Sequence, residues 1–217
     1  MAASFVDSGK TVCDVGCDHG KLSLYLLQSG KAERIIATDI NKAPLQKAVD
    51  LITGAGYGQK AEFYLTDGLQ NIGKTDDISH VVIAGLGGQT MAQIIHSAPF
   101  IKENKVRLVL LPAQSGHTIR KYLYENGFDI ETEETVEEKG KFYSCISAVY
   151  TQNTRTADIF ACYIGKSRLC EGYAAKGYFS MVYSQLEKKQ KGFTIENGFA
   201  SRDISEAMDK IKNLTDK

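Results

Sequence analysis

Short apolar runs alternate with helical periodicity through residue 126, and no other feature narrows the possible folds as far. The runs lie at 11–15, 34–38 (RIIAT), 61–65 (AEFYL), 80–84 (HVVIA) and 106–112 (VRLVLLP). Most are apolar throughout, as in strands buried on both faces. Helical patterns follow most of them, near 20–29, 42–53, 87–96 and 115–126. Gly30, Gly54 and Gly127 punctuate three of the helical ends. Alternation of this kind predicts a parallel sheet with helices on both faces.

After Gly127 the rhythm changes. Phe128-Asp129-Ile130 and residues 142–150 (FYSCISAVY) read as two more strands, with the acidic stretch 131–141 between them showing no helical period. An antiparallel pair ending the sheet fits. Five parallel strands plus such a pair is the layout of Rossmann-like class I methyltransferases, by analogy of fold. The expected fold class is therefore α/β: a seven-stranded, mostly parallel sheet with its last strand antiparallel. From about residue 151 the chain reads as mostly helical. Phe179, Val182, Tyr183 and Leu186 make one apolar stripe; Ile204, Ala207, Met208, Ile211 and Leu214 make another. The stretch 192–200 reads as their connector, and Ser201 or Asp203 as the cap of the second helix. The expected division is a sheet domain over 1–150 and a small helical hairpin, coiled-coil-like, over 151–217.

Composition bounds the function. With 217 residues, 43% hydrophobic and 24% charged, the chain has an ordinary globular balance. No apolar run approaches the ~20 residues that span a bilayer. The first ten residues lack the basic flank and apolar core of a signal peptide, so a cytoplasmic location is expected. Cys13, Cys17, Cys145, Cys162 and Cys170 are odd in number and irregular in spacing, so no zinc site is expected and all five read as reduced, core-type thiols. Residues 1–150 hold 15 Lys and Arg against 18 Asp and Glu, whereas residues 151–217 hold 11 against 8. The basic tail suits a polyanion, or is simply a solvated helix face.

The turn after the first strand reads DVGCDHGKL, residues 14–22. A strand-glycine-helix turn offers backbone N–H groups and a helix N-terminus, which favour anions. In a dinucleotide fingerprint, G-x-G-x-x-G, the backbone packs against pyrophosphate. Here Asp18 stands at the middle glycine. Its carboxylate would be repelled by a diphosphate at 4 Å by roughly 1–4 kcal/mol. S-adenosyl-L-methionine instead carries an ammonium, a sulfonium and one carboxylate. Asp14 or Asp18 would then face positive charge while the backbone takes the carboxylate. The alternative is that both aspartates only cap or orient the turn.

Three further strand ends point the same way. Asp39 ends the second strand, where an acidic residue accepts bonds from ribose hydroxyls. Asp67, in Thr66-Asp67-Gly68-Leu69, follows the third and is placed to meet an adenine amino group. Ala84-Gly85-Leu86-Gly87-Gly88 follows the fourth, where backbone must approach a ligand closely. These carboxyl ends of one parallel sheet converge on a single crevice.

The chain resembles the bacterial tRNA (adenine-22-N1) methyltransferases, the TrmK-like family. The matching stretches are DVGCDHGKLS at 14–23, ATDINKAPLQKA at 37–48, TDGL at 66–69, IAGLGGQTM at 83–91, residues 119–148, and YIGK at 163–166. Two departures stand out: Leu86 where that group usually has Met, and Leu111-Pro112 with Gln114 two residues later where a Gln-Pro pair is usual. Residues Met1 to Val6 resemble the late part of the group's N-terminal helix. The resemblance implies S-adenosyl-L-methionine as cofactor and transfer to N1 of an adenine in tRNA. Resemblance and chemistry together give the donor Gly16, Asp18, Gly20, Asp39, Ile40, Asp67, Gly68, Ala84, Gly85 and Gly87, with Asp14 as a structural or ammonium-facing carboxylate. Position alone makes Asp18 and His19 the candidate catalytic contacts with the adenine, the alternative for His19 being a structural role at the helix start. The candidates for tRNA backbone contacts are the tail's Lys166, Arg168, Lys176, Lys188, Lys189 and Lys191, with Tyr173 or Tyr178 able to stack on a base, the alternative being a solvated helix face. No metal and no membrane partner are expected, and the chain is expected to be a monomer. His117 is the one other histidine placed near the mouth. The rival readings are a small-molecule methyltransferase on the same fold and a non-catalytic Rossmann-type nucleotide binder.

Overall fold

The computed structural model describes residues 1–72 and 77–215. Seven strands form one sheet in the order β3-β2-β1-β4-β5-β7-β6. They are β1 Lys10–Val15, β2 Ala32–Asp39, β3 Ala61–Leu65, β4 His80–Ala84, β5 Arg107–Leu111, β6 Phe128–Glu138 and β7 Lys141–Tyr150. The pairs β1/β2, β1/β4, β2/β3 and β4/β5 are parallel, and β7 runs antiparallel to both β5 and β6.

Successive residues of a strand point to opposite faces, and this period divides the core. Cys13, Val15, Ile36, Val81, Ile83, Leu108 and Leu110 pack on the side covered by α3 (Gly88–His96), α4 (Phe100–Glu103) and α5 (Gly116–Glu125). Val12, Ile35, Ala37, Val82 and Val109 pack on the side of α1 (Lys21–Gln28) and α2 (Lys42–Gly54). Both faces are covered, which is why the central strands read as continuous apolar runs.

The acidic stretch 131–141 is not a loop. β6 runs to Glu138 and turns into β7 through Lys139 and Gly140, both left-handed, as a two-residue hairpin turn requires. A register irregularity between Ile130 and Thr132 shifts the inward phase from even to odd positions. Phe128 and Ile130 face the core before it; Glu133 is buried after it.

The tail comprises α6 (Ile159–Ile164), α7 (Gly172–Asn197) and α8 (Arg202–Thr215). Asp158 caps α6, its Oδ1 accepting from Ala161 N at 2.6 Å. The connector expected over 192–200 is shorter: α7 continues to Asn197 and stops at left-handed Gly198, whose N–H donates to Thr194 O at 2.9 Å. Ser201 is fixed by the Gln190 side chain, which accepts from Ser201 N at 3.1 Å and donates to Ser201 O at 2.9 Å. Both expected stripes pack together: Phe179, Val182 and Leu186 are buried with Ile204, Ala207 and Ile211. The tail docks on the sheet where α7 crosses β7. A Cβ at Gly177 would lie 2.2 Å from Phe142 ring carbons, so only glycine permits that approach.

Candidate active site

The carboxyl ends of β3, β2, β1 and β4 lie side by side, and the strand order reverses at β1, where a sheet of this topology has its ligand crevice. Asp14, inside β1, is buried. Its Oδ2 accepts from Ser23 Oγ at 2.6 Å, and its carboxylate also receives the Ser23 backbone N–H. It therefore ties the first turn of α1 to the strand that precedes it. Burial outweighs these bonds and pushes its pKa up to about 6, with nearby Asp39 adding to the rise.

Asp39 holds the turn itself. Its Oδ2 accepts from Asp18 N at 3.2 Å and its Oδ1 from Asn41 N at 2.8 Å. Gly16 N and Cys17 N both donate to Thr38 O, at 2.8 and 2.9 Å, and Gly20 N to Cys17 O at 2.8 Å. The amides of Gly16, Cys17, Asp18 and Gly20 are thus spent within the protein. Among the described residues, the amides of His19, Lys21 and Leu22 at this turn carry no such bond, so an anion at this backbone falls to the first turn of α1.

Asp18 adopts a left-handed conformation (φ 49°), with its side chain mostly exposed at the crevice. His19 Nε2 lies 3.7 Å from Asp18 Oδ1 and 3.2 Å from Lys47 Nζ on α2. Asp67 is exposed, and Thr66 N donates to Asp39 O at 3.0 Å, which sets the third turn beside the second. Ile40 is 63% exposed, an apolar surface at the mouth. Gly85 has φ 80° and open space where a Cβ would stand, next to half-buried Ala84.

Two of the named glycines have packing reasons. A Cβ on Gly20 would come 2.8 Å from Ala48 Cβ and 2.9 Å from its Cα, so Gly20 lets α1 close on α2. One on Gly68 would come 2.9 Å from Ile94 Cγ1 on α3. Gly87 faces the Gln114 side chain, whose Nε2 lies 3.6 Å from where its Cβ would be. The β4 turn and the loop after β5 are zipped together: Gly88 N donates to Gln114 O at 3.0 Å and Ala113 N to Leu86 O at 2.9 Å.

The basic residues of the tail differ in availability. Lys176, Lys188 and Lys191 are exposed on α7. Lys189 stands over the Tyr163 ring, 5.7 Å from its centroid. Lys166 Nζ donates to Glu131 O at 2.9 Å, and Arg168 Nη1 to Gly165 O at 2.8 Å. Tyr173 is 75% exposed. Tyr178 does not fit the stacking role expected for it: it is buried, and its hydroxyl accepts from Arg120 Nη2 at 2.8 Å.

Sequence reasoning missed Arg120. This side chain is fully buried and also donates to Glu133, to Ser144 Oγ at 2.7 Å and to Tyr163 O at 2.9 Å. It joins α5, the β6/β7 hairpin, α6 and α7. One signal was present: Arg120 falls inside the stripe of Ile119, Leu123 and Tyr124 rather than opposite it.

A parallel sheet closed by a reversed seventh strand, with a carboxylate-bordered crevice at its strand ends, defines a Rossmann-like methyltransferase of class I. Residues 1–146 match the sequence profile of the methyltransferase-domain family, and the chain belongs to that family. It is 30% identical over 146 residues to the tRNA (adenine(22)-N(1))-methyltransferase of Bacillus subtilis, covering 67% of this chain and 61% of that one. It is 31% identical over 136 residues to MG248 of Mycoplasma genitalium, assigned as a tRNA methyltransferase, covering 62% and 59%. The matches thus span about three-fifths of these relatives' length. The crystal structure of Streptococcus pneumoniae Sp1610, assigned as a tRNA (m1A22) methyltransferase and in complex with S-adenosyl-L-methionine, superposes with a TM-score of 0.83 at 26% identity, over 99% of this chain and 96% of that one.

Proposed function

We propose that this chain is an S-adenosyl-L-methionine-dependent tRNA methyltransferase that methylates N1 of adenine 22. The observation that supports this most directly is the likeness to the donor-bound S. pneumoniae protein, which runs through the C-terminal helices as well as the sheet. The crevice fits the donor. The carboxylates of Asp18, Asp39 and Asp67 at these strand ends repel a diphosphate and suit a cationic donor, and exposed Ile40 offers an apolar face. Bound there, the donor supplies an electrophilic methyl on a sulfonium.

The residues then have a modest chemical task. Adenine N1 already owns an in-plane lone pair, so it needs alignment rather than deprotonation. This agrees with Ala84-Gly85-Leu86-Gly87-Gly88 in place of the Asp/Asn-Pro-Pro-aromatic turn common to enzymes that methylate exocyclic amines. N1-methylated adenine is a cation that readily loses an amino proton. Asp39 accepts from the Asp18 backbone N–H and fixes the turn, and the exposed carboxylate of Asp18 stabilises that charge. The reading takes the chain as a cytoplasmic monomer whose α7 lysines grip tRNA phosphates.

The test is transfer of a labelled methyl group to unmodified bacterial tRNA. N1-methyladenine blocks Watson–Crick pairing, so reverse transcription should stop at position 22. Label in no tRNA, or a stop elsewhere only, would overturn the assignment.

A further inference from the structure

Between the loop after β5, the start of β7 and α7 lies a cleft of about 130 Å³. Gln114, His117, Tyr143, Tyr163, Met181 and Gln185 are among its lining residues. Its size is well below the roughly 300–1,000 Å³ of pockets for drug-sized ligands, and suits one flat ring system. The His117 and Tyr163 rings are stacked, with centroids 4.4 Å apart and planes 2° from parallel. Burial lowers the pKa of His117, and Lys189 and Arg120 lower it further, so the imidazole is neutral at pH 7. Lys189 stands over Tyr163, placing a cation beside the aromatic pair. Gln114 and Gln185 are exposed carboxamides at the rim.

The cleft is rigidly joined to the crevice. Gln114 pairs with Gly87 as a β-bridge, and its side chain lies against Gly87 in the β4 turn. Ser115 O packs so tightly on Gly88 that a Cβ there would come within 2.1 Å of it. A group seated in the cleft is therefore indexed to the β4 turn, beside the crevice.

Aromatic walls, carboxamides at the rim and a neighbouring cation match what an extruded nucleobase needs: stacking, edge hydrogen bonds and a partner for its phosphate. Resting on the function proposed above, we infer that this cleft receives the target adenine, stacked among its aromatic side chains with Gln114 reading its edge.

Filling the cleft tests this. Met181→Trp, and Gln185→Trp at the exposed rim should Met181→Trp not fold, are assayed for turnover on tRNA, tRNA affinity and donor affinity. Turnover should fall by about 100-fold, as expected for a misplaced reacting group, with both affinities within a few-fold of wild type. Gln114→Ala should lower turnover roughly tenfold, the worth of one hydrogen bond of this kind. His117→Phe should keep the activity that His117→Ala loses. An active wild type alongside an equally active, folded cleft-filled variant would overturn the cleft and leave the function standing. A wild type that methylates no tRNA would overturn both.

Discussion

Arg120 Nε donates to Glu133 Oε1 at 2.9 Å, and neither side chain is accessible to solvent. The pair is also the seam between the sheet and the tail. Glu133 Oε2 accepts from the amides of Lys166 and Ser167 at 3.0 and 3.3 Å, while Arg120 reaches Tyr163 O and Tyr178 Oη. A buried pair of this kind is costly to break from one side, because the remaining charge is left without a partner.

Arg120→Met should therefore destabilise the protein by about 3–5 kcal/mol. Urea denaturation followed by circular dichroism measures it. Glu133→Gln in the same chain should recover part of the loss, since it removes the stranded charge. A loss of under about 1 kcal/mol in Arg120→Met would contradict the role given to the pair. For the same reason, removing the tail would strip Arg120 of its Tyr163 and Tyr178 partners, so point substitutions test RNA binding more cleanly than truncation.

Asp14 makes stability depend on pH. Its carboxyl titrates at about 6 in the folded chain against 3.8 ordinarily. Between those values the folded state holds a proton that the unfolded state has released, so this group's contribution falls as pH rises. It is fully present below 3.8 and lost above about 6. Asp14→Asn removes the dependence. The variant's stability relative to wild type should rise by ~3 kcal/mol between pH 3.5 and pH 7. Paired urea titrations at the two pH values read this out, and a pH-independent difference would refute it.

Gly20 and Gly85 are both left-handed, yet their substitutions should part company. Gly20→Ala drives a Cβ into the backbone and side chain of Ala48, and overpacking of this kind costs roughly 1–3 kcal/mol on top of the backbone strain. Gly85→Ala meets open space, so it carries only the backbone strain of about 1–2 kcal/mol. It should weaken donor binding instead. Melting curves and calorimetric titration with S-adenosyl-L-methionine separate the two, and equal melting losses would remove the packing argument.

On the tail, Lys176→Ala, Lys188→Ala and Lys191→Ala should each weaken tRNA binding. Each should reduce the log–log salt slope by roughly 0.7–0.9, the value for one lost phosphate contact. Lys166→Ala should do less, because its ammonium already serves Glu131 O. Filter binding between 50 and 200 mM salt, roughly the range where such slopes are read, distinguishes them. Unchanged slopes in all three exposed variants would assign that face to solvent.

Much of this protein was legible in the chain itself. Apolar runs and helical stripes depend on neighbours a few residues apart, so strand order of succession, covered faces and the Asp-rich turns all showed in one dimension. The resemblance carried by residues 14–23 and 83–91 likewise needed no coordinates. The polar stretch after Ile130 was different: pairing with β7 made it a strand, and the register shift sent Glu133 inward to a partner 13 residues away. Only the folded chain decided that the first turn's amides are spent on Thr38 and Asp39, that Tyr178 is bound to Arg120, and that His117 meets Tyr163. Local periodicity records which way a side chain faces. What it finds there depends on elements distant in sequence, and a buried polar group takes its partner from whichever of them packing brings within reach.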